Sequence, residues 1–486
     1  MQQATTEARP KTEHLPWLTL LGFGQLAVPL AFASLPVAVY VTRFYAQDMG
    51  LGIASVAYIL FLARLADFVV DPIIGLASDK LRWSFGRRRT WILFGAPFFM
   101  IGIYLLFNPS PEIARMSESA RWYYLLGSIG VFYFGWTMIT IAYGAWGAEL
   151  SPDYRERSRI TGVREVFTLL GLALSGFIAT RIGVPPDKCV PGQTEPLGSG
   201  GYWDLMEAMG ITIAVLTPVA LVFLYLTTPE PPLREKHTVS FWRGVRVAAT
   251  NWPFVRLFAA TALVRMGSRA VEGLLIFYLV SVALFSPQQA SSSVLALLIP
   301  AVIFAPLWIW AGNRFTKHKA LCAAMAGGIL VFASLPFISG FGYMTNIAAF
   351  AVLGAMFSAP FTLGQSMAAD VIDLDSLKSH EPRAGLLISF FQFANKGGDA
   401  LGIFISLWLV ATLGFTAEKC ATNTTEAITG LEAVYVLFPI ATWVPAILLL
   451  WTFPITPELQ RRMRALIDRR IRIENAVKLR QSAGKT

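Results

Sequence analysis

Charged residues are what this sequence has little of. Asp, Glu, Lys and Arg make up 14% of its 486 residues, against roughly 25% in soluble globular proteins. That shortfall excludes a soluble multidomain enzyme, and no long polar stretch is left over for a soluble domain. Histidine is scarce too: His14, His237, His318 and His380 all fall in polar segments. No HExxH, Walker A or GxSxG pattern occurs, so the chain is expected to be no enzyme and to carry no cofactor beyond a coupling ion. Without a phosphate-binding loop, ATP-driven pumping is excluded, and solute movement must follow an ion gradient or be passive.

Apolar residues are abundant: 55% of the chain, with a mean hydropathy of +0.56. A membrane-crossing helix needs about 20 mainly apolar residues. Twelve runs qualify, at 17–41, 52–74, 90–108, 122–148, 158–182, 204–228, 252–283, 289–311, 319–340, 344–369, 384–413 and 433–454. The first is too long for a signal-peptide core of ~7–15 residues and reads as a retained helix. With both termini placed in the cytoplasm, the inside segments hold 28 of the 40 Lys and Arg and the outside loops hold six, which sets the orientation by the positive-inside rule. The net charge of +10 lies in short loops and the tail, with no basic domain for nucleic acid. An inner-membrane, multi-pass, monomeric protein is expected.

The link 229–251 divides the chain into a half over 17–228 and a half over 252–454. A polar segment, 1–16, leads in, and a basic tail, 455–486, follows. A repeat supports the division. PIIGLASDK (72–80) stands 234 residues before PLWIWAGNR (306–314), and both lead into a basic turn. Two six-helix halves related by a parallel repeat predict an all-α membrane protein of the major facilitator organisation. The Arg-rich tail reads as an amphipathic helix lying near anionic lipid.

Ionisable groups inside a membrane helix cost at least ~2.5 kcal/mol each and face a cavity or a partner. Asp67 and Asp71 are spaced i, i+4, so one helix face carries both carboxylates. Close together in a low dielectric they share a proton or trap a cation; otherwise each makes a structural salt bridge, with Arg64 or Lys396. Lys396, followed by Gly397 and Gly398, needs a counter-charge, and its glycines permit close helix approach. Arg265, Arg269 and Glu272 share one face and form an internal charge network or touch substrate. Asp370 and Asp373, expected near Lys378 and Arg383, read as gate groups. So does the turn Gly75–Arg89, where Asp79 would cap a helix end or pair with a base such as Arg87 or Arg88.

The cysteines are Cys189, Cys322 and Cys420. Cys322 sits among small apolar residues as an inert thiol. Cys189 and Cys420 occupy equivalent outer loops, 231 residues apart. Facing an oxidising space, they either bridge or remain two unrelated thiols.

In LARLADFVVDPIIG (62–75), GAELSPDYRERSRITGVRE (147–165), MAADVIDLDSLK (367–378), RAGL (383–386) and FFQFANKGG (390–398), the chain resembles the glycoside–pentoside–hexuronide:cation symporters. These are the melibiose-permease group of the major facilitator superfamily. The resemblance implies a cation site at Asp67 and Asp71, helped by Thr137 in the fourth run and Lys396 in the eleventh. It places Arg164 near substrate. Sodium-using sugar permeases of the group carry Asn just before the second acid, whereas this chain has Val70, which favours H⁺ over Na⁺. Galactoside-binding members use acids in the first and fourth runs. The first run here has none, and Thr140 takes the fourth-run position. Those departures speak against galactoside-like recognition; the resemblance implies sugar- or glycoside-like solutes as the substrate class, with lysophospholipids or other amphipaths the alternative. A non-transporting assembly factor is a third reading, opposed by the retained charges.

Overall fold

The computed structural model describes residues 14–80, 86–151, 154–182, 202–230, 248–379, 384–418, 422–456, 458–463 and 465–466. Their regular structure is helical, with no strand among the described residues. The helices are α1 (Trp17–Gly24), α2 (Ala27–Arg43), α3 (Ile53–Lys80), α4 (Arg87–Phe107), the short α5 (Pro111–Ala114), α6 (Glu118–Glu149), α7 (Tyr154–Ile182) and α8 (Trp203–Thr227). After the link come α9 (Trp252–Ser281), α10 (Pro287–Arg314), α11 (Lys317–Ile338), α12 (Tyr343–Ser379), α13 (Ala384–Thr412) and α14 (Thr425–Trp451).

Each apolar run falls on a long helix, the first on α1 and α2 together. Among the described residues, ten helical segments are long and apolar enough to cross a membrane. The two long helices outside that set are α9 and α13, at 30 and 29 residues. Length is not what they lack. Arg256, Arg265, Arg269 and Glu272 dilute α9, and Asn395, Lys396 and Asp399 dilute α13. Helix starts are written locally. Ser117, Asn251, Ser286, Thr316 and Thr424 each accept a hydrogen bond from the backbone N–H three residues on, which satisfies one of the unpaired donors of the first turn.

The chain forms two compact units. One gathers the described residues of Met1–Val37, Leu65–Ile182 and Tyr202–Glu235; the other gathers those of Ala38–Arg64 and Lys236–Thr486. Ala38–Arg64 packs with the later helices. Tyr58 and Phe61 set their rings 5.5 and 4.7 Å from Phe404, and the Arg43 guanidinium lies 5.5 Å from the Phe277 ring centre.

Within the first unit α4 and α6 pack backbone to backbone: a Cβ on Gly135 would lie 2.2 Å from the Phe99 nitrogen. Within the second unit α13 meets α9 in the same way. A Cβ on Gly398 would lie 2.4 Å from the Ala262 carbonyl oxygen, and one on Gly402 2.2 Å from that of Met266. This small-xxx-small spacing brings membrane helices into contact. Gly402→Ala should therefore lower the melting temperature in detergent, since overpacking costs about 1–3 kcal/mol. Gly130→Ala, where a Cβ meets nothing within 4 Å, should leave it unchanged or raise it. Equal melting temperatures for the two variants would refute the seam.

The N-terminal segment is tied to the start of α7. Glu156 is buried and accepts hydrogen bonds from the His14 ring at 2.6 Å, the Arg159 guanidinium at 2.7 Å and the Leu15 backbone N–H at 3.4 Å. Burial pushes its pKa up, but the bonds from His14, Arg159 and Leu15 outweigh it and hold the carboxyl below its ordinary value. A depressed carboxylate contributes stability above its unfolded pKa and loses it as pH falls through the folded one. Acidification below the ordinary carboxylate range should thus lower the melting temperature, and Glu156→Gln should flatten that acid limb while lowering the plateau. An acid limb identical in both proteins would show that Glu156 does not contribute to it.

Candidate cation and substrate site

Asp67 and Asp71 lie one turn apart on α3, and Thr137 lies on α6. The Thr137 hydroxyl oxygen is 3.0 Å from Asp67 Oδ1 and 3.1 Å from Asp71 Oδ1. Thr137 and Asp67 are buried, Asp71 half-buried. Thr137 is placed by the α4–α6 seam just described, two residues beyond Gly135. A threonine hydroxyl has one hydrogen and two lone pairs, so it can donate to only one of the two carboxylates at a time. The other contact is satisfied when that acid carries a proton and donates back, or when a small cation sits among the three oxygens. Val70, beside Asp71, offers no further oxygen. A hydroxyl between two carboxylates is an arrangement that can hold a proton or a single hard cation. Among the described residues, no group of three or more His, Cys, Asp or Glu is arranged to hold a metal ion.

The other expected residues are placed as follows. Thr140, one turn beyond Thr137, donates to its own helix at the Trp136 carbonyl, 2.8 Å away. Arg164 pairs with its neighbour Glu165 at 2.9 Å, on a partly exposed stretch of α7. Lys396 is half-buried on α13 in the second unit. Asp399, three residues on and so on the same helix face, is held by Arg265 of α9. The Arg265 Nε and Nη2 donate to Asp399 Oδ1 and Oδ2, each at 2.9 Å. Arg269 pairs along its own helix with Glu272 at 2.9 Å. Of the two readings of the α9 charges, the internal network describes these contacts.

Arg88 is completely buried. With Arg87 it holds Glu149 at the end of α6, at 2.8 and 2.6 Å, and its Nη1 donates to Ser78 at 3.1 Å. These partners all belong to one unit. Asp79 lies on α3, its side chain outside the described residues. Glu230 was not foreseen. Its carboxylate accepts the backbone N–H groups of Arg88 at 2.7 Å and Arg89 at 3.3 Å, capping the α4 N-terminus where the helix dipole favours an anion. Gly86 takes φ +105° there, and a Cβ on it would lie 2.7 Å from the Glu230 carboxyl carbon. In the second unit Asp370 accepts from Lys317 at 2.6 Å and from Gln460. The expected neighbours Lys378 and Arg383 have side chains outside the described residues. Asp373 is half-buried on α12. Asp375, also not foreseen, accepts from Asn251 at 3.1 Å. Cys322 is free and buried; Cys189 and Cys420 lie outside the described residues.

The residues of this chain from 22 to 457 match the family described as MFS/sugar transport protein. The human sodium-dependent lysophosphatidylcholine symporter 1 is 24% identical over 453 residues, covering 87% of this chain and 81% of that protein. The glucuronide carrier protein homolog of Escherichia coli (strain K12) is 23% identical over 468 residues, covering 95% and 98%. The crystal structure of a D-xylose-proton symporter is similar in fold, with a TM-score of 0.63 at 14% identity, over 91% of this chain and 97% of that one. The chain belongs to the MFS/sugar transport protein family, and is a multi-pass membrane transporter of the major facilitator fold.

Proposed function

We propose that this protein is an H⁺-coupled symporter of the inner membrane. It binds the proton between Asp67 and Asp71 and moves a sugar- or glycoside-like solute by alternating access. α9 and α13 cross the membrane with the other ten spans, both termini are cytoplasmic, and the transporter works as a monomer. One observation carries the reading: a single Thr137 hydroxyl lies within hydrogen-bond reach of both carboxylates, and Val70 adds no ligand for a metal cation. Lys396 enters the cycle on the sequence resemblance alone. In proteoliposomes a pH gradient should drive uptake in nominally Na⁺-free buffer. A strict Na⁺ requirement would replace H⁺ with Na⁺ at the same site.

The second reading keeps the cation site and makes the solute a lysophospholipid or similar amphipath. It is favoured by the absence of any acid in Trp17–Val41 and by Thr140, which together leave no carboxylate clamp for sugar hydroxyls. The human relative, a lysophosphatidylcholine symporter by name, points the same way. A thermal-shift screen of glycosides, glucuronides and lysophosphatidylcholine separates the two readings by which class stabilises the protein. With the stabilising ligand in hand, Arg164→Lys tests the substrate assignment. It keeps the charge and loses the planar fork of donors, so affinity should fall about tenfold, the worth of one charge-assisted hydrogen bond. An unchanged isotherm would leave Arg164 as the partner of Glu165 only.

A further inference from the structure

The first span is broken. α1 ends at Gly24 and α2 starts at Ala27, so the break falls about 12 Å past Trp17 at 1.5 Å per residue, well inside a hydrocarbon core of ~30 Å. The sequence dictates it. Pro29 has no N–H to give the Gln25 carbonyl four residues back, and its ring crowds that oxygen. The Val28 N–H bonds it instead, at 2.9 Å. A continuous helix would pair the Phe23 and Gly24 carbonyls with Ala27 and Val28. Here those carbonyls lie 2.8 and 3.4 Å from the Tyr143 hydroxyl of α6, which donates to them. Tyr143 is buried, its ring 4.5 Å from that of Phe23. It holds the broken end of α1 from a neighbouring helix.

Gln25 is the polar side chain at the break. Its Nε2 donates to the Ala220 carbonyl of α8 at 3.1 Å. One N–H and the whole of Oε1 are left unused among the described residues, and the residue is half-buried. An amide that faces hydrocarbon is costly. Irregular backbone at membrane depth persists where it is buried in protein or lines a water-filled path, and broken helices build solute sites in secondary transporters. The neighbours agree with such a path. α7 crosses the first span at the break: a Cβ on Gly24 would lie 2.8 Å from Val163 and from Phe167, and one on Gly171 2.5 Å from the Val28 carbonyl oxygen. Arg164 follows Val163 directly and is within electrostatic reach of Tyr143. Thr140 stands one turn from Tyr143 on α6. Both substrate candidates therefore flank the break, and all these residues belong to one unit.

The free acceptor and donor of one amide match a hydroxyl, which donates to Oε1 and accepts from Nε2. A phosphate or carboxylate would set an oxygen against Oε1, and a quaternary ammonium offers no N–H to bond. We infer that Gln25 binds a hydroxyl of the solute and sets specificity for it, with Tyr143 as its positioning residue. This rests on the reading of the solute as sugar-like.

Isothermal titration of the detergent-solubilised full chain tests it. The probes are the methyl glycosides of glucose, galactose, xylose and glucuronic acid, then the monodeoxy analogues of the tightest binder. One analogue should bind the wild type about tenfold more weakly than its parent. Gln25→Leu should bind the parent about tenfold more weakly and no longer distinguish the two. Gln25→Met, of similar length, should behave alike. Tyr143→Phe keeps the ring against Phe23 and loses the hydroxyl. It should narrow the same distinction, and combined with Gln25→Leu it should weaken binding no further. If Gln25→Leu keeps the wild-type affinity, or weakens parent and analogues alike, Gln25 touches no hydroxyl: the inference falls and the sugar reading stands. If the wild type binds none of the glycosides, the sugar reading falls and takes the inference with it.

Discussion

Asp67→Asn and Asp71→Asn should each abolish uphill accumulation of solute in energised vesicles while leaving the protein folded. Asparagine keeps the shape of the side chain and its carbonyl oxygen, so the Thr137 hydroxyl still finds an acceptor. What it removes is the capacity to take up and release a proton or to balance a cation. A coupled charge falling through ~100 mV supplies about 2.3 kcal/mol, enough for roughly 50-fold accumulation at ~1.4 kcal/mol per tenfold. That factor should disappear, leaving equilibration down the solute's own gradient. Thr137→Val separates the ions. A proton shared by two acids survives the loss of the hydroxyl with a shifted pH dependence, whereas a bound Na⁺ loses one of three oxygens and a large part of its affinity. If both Asp variants accumulate solute as the wild type does, the coupling site lies elsewhere.

How far the site was legible follows from the range over which each signal acts. The spans are local signals, and every apolar run falls on a helix. Asp67 and Asp71 are one turn apart, so their common face is written in the spacing. Thr137 is different: nothing in WTMITIAYG (136–144) marks one threonine over the next, and its place rested on a resemblance anchored some twenty residues away at Arg155–Arg157. The partners of Arg88 and Lys317 were not legible at all. Arg88 with Glu149 and Glu230, and Lys317 with Asp370 and Gln460, pair residues from separate helices, and no periodicity links them. Glu230 sits in PEPP, which reads as the start of a polar link. Its capping of α4 depends on a backbone opening at Gly86 that only the folded chain reveals. Of the glycines after Lys396, Gly398 lies against the Ala262 carbonyl, as a helix-contact residue would. The partner surface on α9, and the extension of the seam to Gly402, came from the structure.

The α9–α13 seam carries the second large effect. Arg265→Leu or Asp399→Leu alone should strongly destabilise the protein, whereas Arg265→Leu/Asp399→Leu should regain most of the loss. Both side chains are largely buried, at 21% and 14% exposure, and the bidentate geometry leaves neither charge facing hydrocarbon alone. Removing one partner strands the other, at a cost of about 3–5 kcal/mol for a buried pair, while replacing both with apolar groups is often neutral or better. The membrane sharpens the contrast. α9 and α13 are the two long helices whose composition falls short of a self-sufficient span, and a single unpaired charge at mid-helix adds ~2.5–3.5 kcal/mol to insertion. Arg265 also lies 5.4 Å from the Phe361 ring centre, a contact that remains in Asp399→Leu and softens that variant relative to Arg265→Leu. Expression level, monodispersity and melting temperature of the four proteins form the double-mutant cycle. Additive losses in the double variant would mean that the two charges act independently. A well-folded Arg265→Leu that no longer binds solute would move Arg265 from the internal network to the substrate path.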